Sequence, residues 1–402
     1  MASVPVPAET RYLLFARGMR AFVDGYVAVL LPVYLLALGL GTWEVGLLST
    51  ATLLGSSLMT VAVGVWGHRF HHRHLLRTAS VLMVATGLGF AALSDLWPLL
   101  VVAFVGTLNP SSGDVSVFLP LEHARLAHSG DGHARTSVFA RYSLVGALCA
   151  AIGSLAAAVP DQLAKLGVGT LPALRGMFVV YALAGLAIWS LYRRLPRPDE
   201  PLPVPPAPLG ASRGVVARLA ALFSVDAFAG GLMVQSLLAL WLFKRFDMSL
   251  AAAGAFFFWT GLLSAASQLA APWVARRIGL LNTMVFTHIP SSVALIAAAF
   301  APRVEVALGL LLVRAALSQM DVPTRSAFVM SVVTPSERVA AASYTAVPRS
   351  LAASLSPSLG GALIAAGWMA APLVLCGALK IGYDLVLLAA FRGVERGSRQ
   401  SP

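Results

Sequence analysis

Apolar positions in this chain follow one another without the alternation of a half-buried strand, and most runs are long enough to cross a bilayer. They cover residues 13–39, 44–66, 78–93, 97–120, 136–158, 176–192, 216–243, 250–274, 281–300, 304–333, 339–366 and 369–391. A helix needs roughly 20 such residues to cross hydrocarbon. Backbone groups in lipid must also be paired within their own segment. The pattern therefore predicts twelve transmembrane α-helices joined by short turns of Gly, Pro and charged residues. Barrel strands would alternate, and these runs do not.

One interruption is longer than the rest. Residues 193–213 read RRLPRPDEPLPVPPAPLGASR, and their seven prolines exclude a helix and favour extended polyproline backbone. This stretch divides the spans six and six. The organisation it predicts is a first half over 1–192, a linker over 193–215 that acts as a tether, and a second half over 216–402.

The two halves repeat each other. The first span reads MRAFVDGYVAVLLPVYLLALGL and the seventh AALFSVDAFAGGLMVQSLLALWL, which puts Asp24 and Asp226 in matching places. The fourth contains GDVSVFLPLEHARL and the tenth MDVPTRSAFVMSVV, which matches Asp114 with Asp321. Paired spans six apart and in the same orientation imply halves related by a pseudo-two-fold axis along the membrane normal. The expected fold class is an all-α integral membrane protein of two six-helix halves.

Composition agrees. Of 402 residues, 58% are hydrophobic and 11% charged, against roughly 25% charged in a soluble domain. The formal charge of +12 could attract nucleic acid, but its distribution favours basic loops. Arg69, Arg73, Arg77, Arg125, Arg135, Arg193, Arg194, Arg197, Arg213, Arg276, Arg277, Arg338, Arg396 and Arg399 fall on one set of connections, with little beyond Lys165, Arg175, Lys244, Arg245 and Arg303 on the other. This bias places both termini and the linker in the cytoplasm of a multi-pass inner-membrane protein. Cys149 and Cys376 lie inside apolar runs and argue against a disulfide framework or a zinc site. No G-x-x-x-x-G-K-[ST] string supplies ATP, and no His/carboxylate or Cys/His constellation marks an enzyme. No cofactor or metal is expected.

Charges inside the spans are the candidate chemistry. Asp24, Asp114, Asp226 and Asp321 stand in the first, fourth, seventh and tenth spans, and Asp384 in the twelfth. A carboxylate at the bilayer centre costs roughly 2.5–3.5 kcal/mol on insertion scales, so each needs a partner or water. Two readings compete: proton carriage or contact with a cationic substrate, and ion pairing. Pairing partners at i,i+4 are Arg325 for Asp321 and Lys380 for Asp384, and Arg20 and Arg17 precede Asp24 by one and two turns. Arg314 reads as a member of a network with Asp321, two turns further along. Gln235, Gln319, Asn109 and His288 are further polar groups within spans, and His288, beside Pro290, reads as satisfying a freed carbonyl. His68, His71, His72 and His74, interleaved with arginines, read as a basic loop facing lipid headgroups and not as a metal site.

The loop between the second and third spans reads GVWGHRFHHR. It resembles the G-x-x-x-D-R-x-G-R-[KR] motif of the major facilitator superfamily, matching at Gly64, Arg69 and Arg73, with His68 at the acidic position. The second-half copy, VARRIGLL, keeps Arg277 and Gly279. Together with the 6+6 repeat, the chain is similar to that family over nearly its whole length. The resemblance implies that helices 1, 4, 7 and 10 line a central cavity, with Asp24, Asp114, Asp226, Asp321, Arg314, Gln235 and Gln319 as candidate substrate- or proton-binding residues. Acids in helices 1 and 7 resemble those of drug/proton antiporters. The expected function is alternating-access secondary transport of a small organic solute, as proton-coupled export from a monomer in the lipid bilayer. The alternatives are an uptake symporter or facilitator and, from another class, a non-transporting membrane scaffold.

Overall fold

The computed structural model describes residues 8–111, 116–126, 132–195, 209–210, 212–334 and 337–399. The described residues outside turns and short connections are helical. In chain order the α-helices are α1 (Ala8–Ala37), α2 (Thr42–Trp66), α3 (His72–Ala92), α4 (Leu96–Val105), α5 (Phe118–Leu126), α6 (Gly132–Leu155), α7 (Val159–Lys165) and α8 (Thr170–Arg193). They continue as α9 (Arg213–Gly231), α10 (Gln235–Phe246), α11 (Leu250–Ile278), α12 (Leu280–Ala299), α13 (Val304–Ser318), α14 (Asp321–Val332), α15 (Arg338–Ala365) and α16 (Ala371–Arg399). Among the described residues, ten helical spans are long and apolar enough to cross a membrane, and α4 is a shorter apolar helix.

The chain forms two compact units, one of residues 1–205 with 248–258 and one of residues 206–247 with 259–402. Within the first, α1 packs on α6 and α8, and α3 packs on α8. Within the second, α9 packs on α15, and α12 packs on α16 and α13. The pairing is the same in both: first apolar segment against fifth, third against sixth. Close approach makes these contacts. A Cβ on Gly25 of α1 would lie 2.2 Å from the Ala150 carbonyl oxygen, and one on Gly360 of α15 would lie 2.2 Å from that of Leu232. Only glycine allows backbones this close.

Three apolar segments expected as single helices are broken. The fourth divides between α4 and α5, the seventh between α9 and α10, and the tenth between α13 and α14. Pro323 explains the last break: it is the third residue of α14, where a missing N–H costs no helical bond. Polar side chains satisfy freed backbone near the first two breaks. The Thr107 amide donates to Thr86 Oγ1 at 3.2 Å, and Ser356 Oγ donates to the Phe228 carbonyl at 2.6 Å. A broken helix inside a membrane is tolerated where side chains re-satisfy the backbone in this way.

The prolines Pro196 to Pro208 lie outside the described residues. The residues that follow them are held within the second unit. Glu337, just before α15, accepts hydrogen bonds from the Gly210 and Ser212 amides and from Thr334 Oγ1. Hydrogen bonds from Ser212, Thr334 and the Gly210 amide hold its carboxyl at about 2, below the ordinary 4.5. The clamp is therefore complete above the ordinary value and is lost as pH falls toward about 2. Glu337→Ala should speed tryptic cleavage after Arg213 at neutral pH. An unchanged digestion rate would show that the clamp holds nothing.

Candidate functional site

Among the described residues each unit encloses a buried ionic cluster joining several helices, and the two differ in kind. In the first unit Arg20 of α1 meets Glu122 of α5 through two hydrogen bonds, Nη2 to Oε2 at 2.6 Å and Nη1 to Oε1 at 3.3 Å. Tyr192 of α8 donates to Glu122 Oε1 at 2.6 Å, and Tyr142 of α6 donates to Oε2. The Arg20 guanidinium also lies 4.3 Å from the centre of the Phe118 ring. Each carboxylate oxygen thus has two donors, and the charges cancel. A neutral pair like this, with both carboxylate oxygens doubly bonded, holds four helices together.

Sequence alone does not single out Glu122, which stands beside His123 and Arg125 at the end of an apolar run. The signal that could have found it is the pair of tyrosines at the ends of their spans, since a buried phenol needs a partner. Arg20 had been expected to serve Asp24, and its guanidinium is instead committed to Glu122. Asp24 is buried one turn further along α1, with Arg20 and Arg17 as the cations acting on it. Asp114 lies outside the described residues. An apolar groove of about 790 Å³ runs over α1, α6 and α8, lined by Phe15, Met19, Phe22, Cys149 and Leu183, and neither Asp24 nor Glu122 lines it.

In the second unit, Asp226 of α9 receives Lys380 Nζ of α16 on Oδ1 at 2.6 Å and Arg325 Nη2 of α14 on Oδ2 at 3.0 Å. The same Arg325 nitrogen bonds Asp321, the i,i+4 pair expected from sequence. His288 of α12 sets Nδ1 3.0 Å from Asp384 Oδ2 and Nε2 3.4 Å from Lys380 Nζ. Its Nε2 also lies 3.8 Å from Asp226 Oδ1. Four helices thus contribute to one cluster in which every group but Asp321 has a partner on another helix.

The cluster corrects three expectations. Lys380 and Asp384 do not pair with each other: Lys380 turns to Asp226 and Asp384 to His288. His288 bonds a carboxylate and not a carbonyl freed by Pro290. The Arg314–Asp321 pair does not form, since Asp321 bonds Arg325; Arg314 is half-buried on α13, and its backbone carbonyl accepts Ser291 Oγ. Gln319, between α13 and α14, accepts Gln268 Nε2 at 3.4 Å, and Gln235 is the half-buried first residue of α10.

The Major Facilitator Superfamily matches residues 13–318. The chain belongs to the Major Facilitator Superfamily. An uncharacterized membrane protein of Saccharomyces cerevisiae, YJR124C, is 24% identical over 94% of this chain and 92% of its own. Among solved structures, the nucleoside transporter NupG aligns with TM-score 0.71 at 13% identity, covering 95% of this chain and 99% of that one. A D-xylose-proton symporter aligns with TM-score 0.70 at 15% identity, covering 94% and 97%. At such identities these two share the fold alone. The chain is accordingly a multi-pass membrane transporter and not an enzyme.

In this transporter the superfamily's loop positions have local structural surroundings. Gly64 is exposed, with open space where a Cβ would sit. Arg69 is exposed in a short 3-10 turn, Gly67–Arg69. Arg73 donates to the Arg193 carbonyl at the end of α8, and Trp189 of that helix is flanked by Arg77 at 5.2 Å and Arg193 at 4.8 Å. In the second copy, Arg277 lies over Trp273 at 4.5 Å. Gly279, with φ 95°, turns the chain from α11 into α12, a conformation that strains any residue with a side chain. Among the described residues no group of His, Cys, Asp or Glu side chains could hold a metal ion.

Proposed function

We propose that this chain is a proton-coupled secondary transporter of a small organic solute, built from twelve spans in two six-helix halves related about the membrane normal. The ten long apolar spans, completed by α4 with α5 and by α15, support the number, and the repeated helix pairing supports the halves. The Lys/Arg bias supports cytoplasmic termini and linker. The observation that carries proton coupling is the buried cluster around Asp226. Ionisable groups at membrane depth are costly and persist where they serve an ion pathway.

Asp24, in the helix matching that of Asp226, is proposed as the second acid of the pathway, with Asp114, Asp321, Gln235 and Gln319 near the solute. Paired acids in the first and seventh helices favour export in exchange for protons. The fold shared with a D-xylose-proton symporter favours a second reading, uptake together with protons.

Both readings are tested in reconstituted vesicles with labelled sugars, nucleosides and organic cations, with and without a pH gradient. Gradient-driven accumulation of one of them is expected, and its direction separates the two readings. Asp24→Asn should abolish accumulation and leave solute-for-solute exchange in place. Accumulation by the Asn variant would remove Asp24 from the pathway.

A further inference from the structure

The cluster around Asp226 holds more acids than permanent cations. Asp226, Asp321 and Asp384 face Arg325 and Lys380. With every carboxyl ionised and His288 neutral, the sum is one negative charge, almost wholly shielded from water; with His288 protonated, the sum is zero. An uncompensated charge at this depth is expensive, so the cluster is built to take up one proton.

The geometry points to Nε2 of His288 as the atom that binds it. Nδ1 faces both Asp384 oxygens, at 3.0 and 3.2 Å, and is thereby fixed as the N–H donor. Asp384 is fully buried, so the ring has little freedom to reverse. The other nitrogen then has a free lone pair, and it lies 3.4 Å from Lys380 Nζ. An ammonium can only donate, so this contact exists only while Nε2 lacks a proton. When a proton arrives from water, an N–H bond forms at Nε2 and the ring becomes a cation. The Lys380 contact turns repulsive, and the nearest acceptor for the new N–H is Asp226 Oδ1 at 3.8 Å, the oxygen that Lys380 occupies. Loss of the proton to water reverses each step.

One proton therefore redistributes the bonds joining α9, α12 and α16. The remaining groups around the ring are Tyr383 of α16, with ring centres 6.3 Å apart, and Arg325 and Asp321 of α14, which reach it through Asp226. Cys376 of α16 interacts with Lys380 and Asp226, and Arg314 of α13 acts on that thiol.

This site rests on the reading of the chain as proton-coupled, and it can be tested without any solute. Purified full-length protein in detergent is titrated in weak buffer, counting protons bound per chain between about pH 9 and pH 5, the range that brackets imidazole. Asp384→Asn removes the excess acid, so it should bind about one proton fewer than the wild type although every histidine remains. The double variant His288→Gln, Asp384→Asn leaves two acids against two cations and should lose no further proton. That balance also keeps it foldable if the single variant is not. A single variant that titrates like the wild type, or a double variant that loses a second proton, would overturn the assignment. Counting protons and measuring coupled transport can fail independently, so a negative result in one does not carry over to the other.

Discussion

Asp226→Asn is expected to cost about 3–5 kcal/mol of stability, because it strips a buried ammonium and a buried guanidinium of the carboxylate they share. Arg325 keeps Asp321, but Lys380 keeps only the imidazole nitrogen of His288. Most of the loss should therefore come from Lys380. Adding Lys380→Met to Asp226→Asn should cost less than the sum of the two single changes, since the second removes the charge that the first left stranded. The measurement is unfolding in mixed micelles of graded SDS content. Additive losses would mean that the 2.6 Å contact contributes nothing beyond its separate halves. Arg314→Met combined with Asp321→Asn is the control: the two share no bond, and their costs should add.

The other large effect lies in the first unit. Arg20→Met should also cost about 3–5 kcal/mol, because Glu122 is fully buried and would be left as an anion held by two phenols alone. Glu122→Gln should cost less in the Arg20→Met background than in the wild type, because only there is its charge unopposed. Transport should follow folding in these variants, since both Glu122 oxygens are already doubly bonded within the first unit. A folded Glu122→Gln variant that had lost proton coupling would contradict that division of labour between the two clusters.

How much of this was legible in the sequence follows from the reach of each rule. The length of the apolar runs located the ten long spans among the described residues, since it depends only on bilayer thickness. The i,i+4 rule gave Asp321–Arg325 correctly, because the partners share one helix face. The same rule failed for Lys380 and Asp384, which point to other helices that offer a closer acid and an imidazole. Spacing along one helix cannot report what faces it across the interior, which is why Glu122 and His288 were missed as partners. The repeat set Asp24 and Asp226 as equals, yet their surroundings differ: Asp226 bonds two cations, while the arginine beside Asp24 bonds Glu122. Sequence symmetry constrains backbone position more tightly than the local charge.

Solute-driven proton movement is the most direct test of the account. The full chain is reconstituted into vesicles loaded with the pH-sensitive dye pyranine, and a solute identified by the transport screen is added outside with no pH gradient imposed. Luminal pH should shift as the solute gradient runs down, more alkaline for exchange and more acidic for symport. The shift should vanish in protein-free vesicles and collapse when a protonophore is added. Solute that enters at the same rate with no change in luminal pH would contradict proton coupling and leave a facilitator in its place.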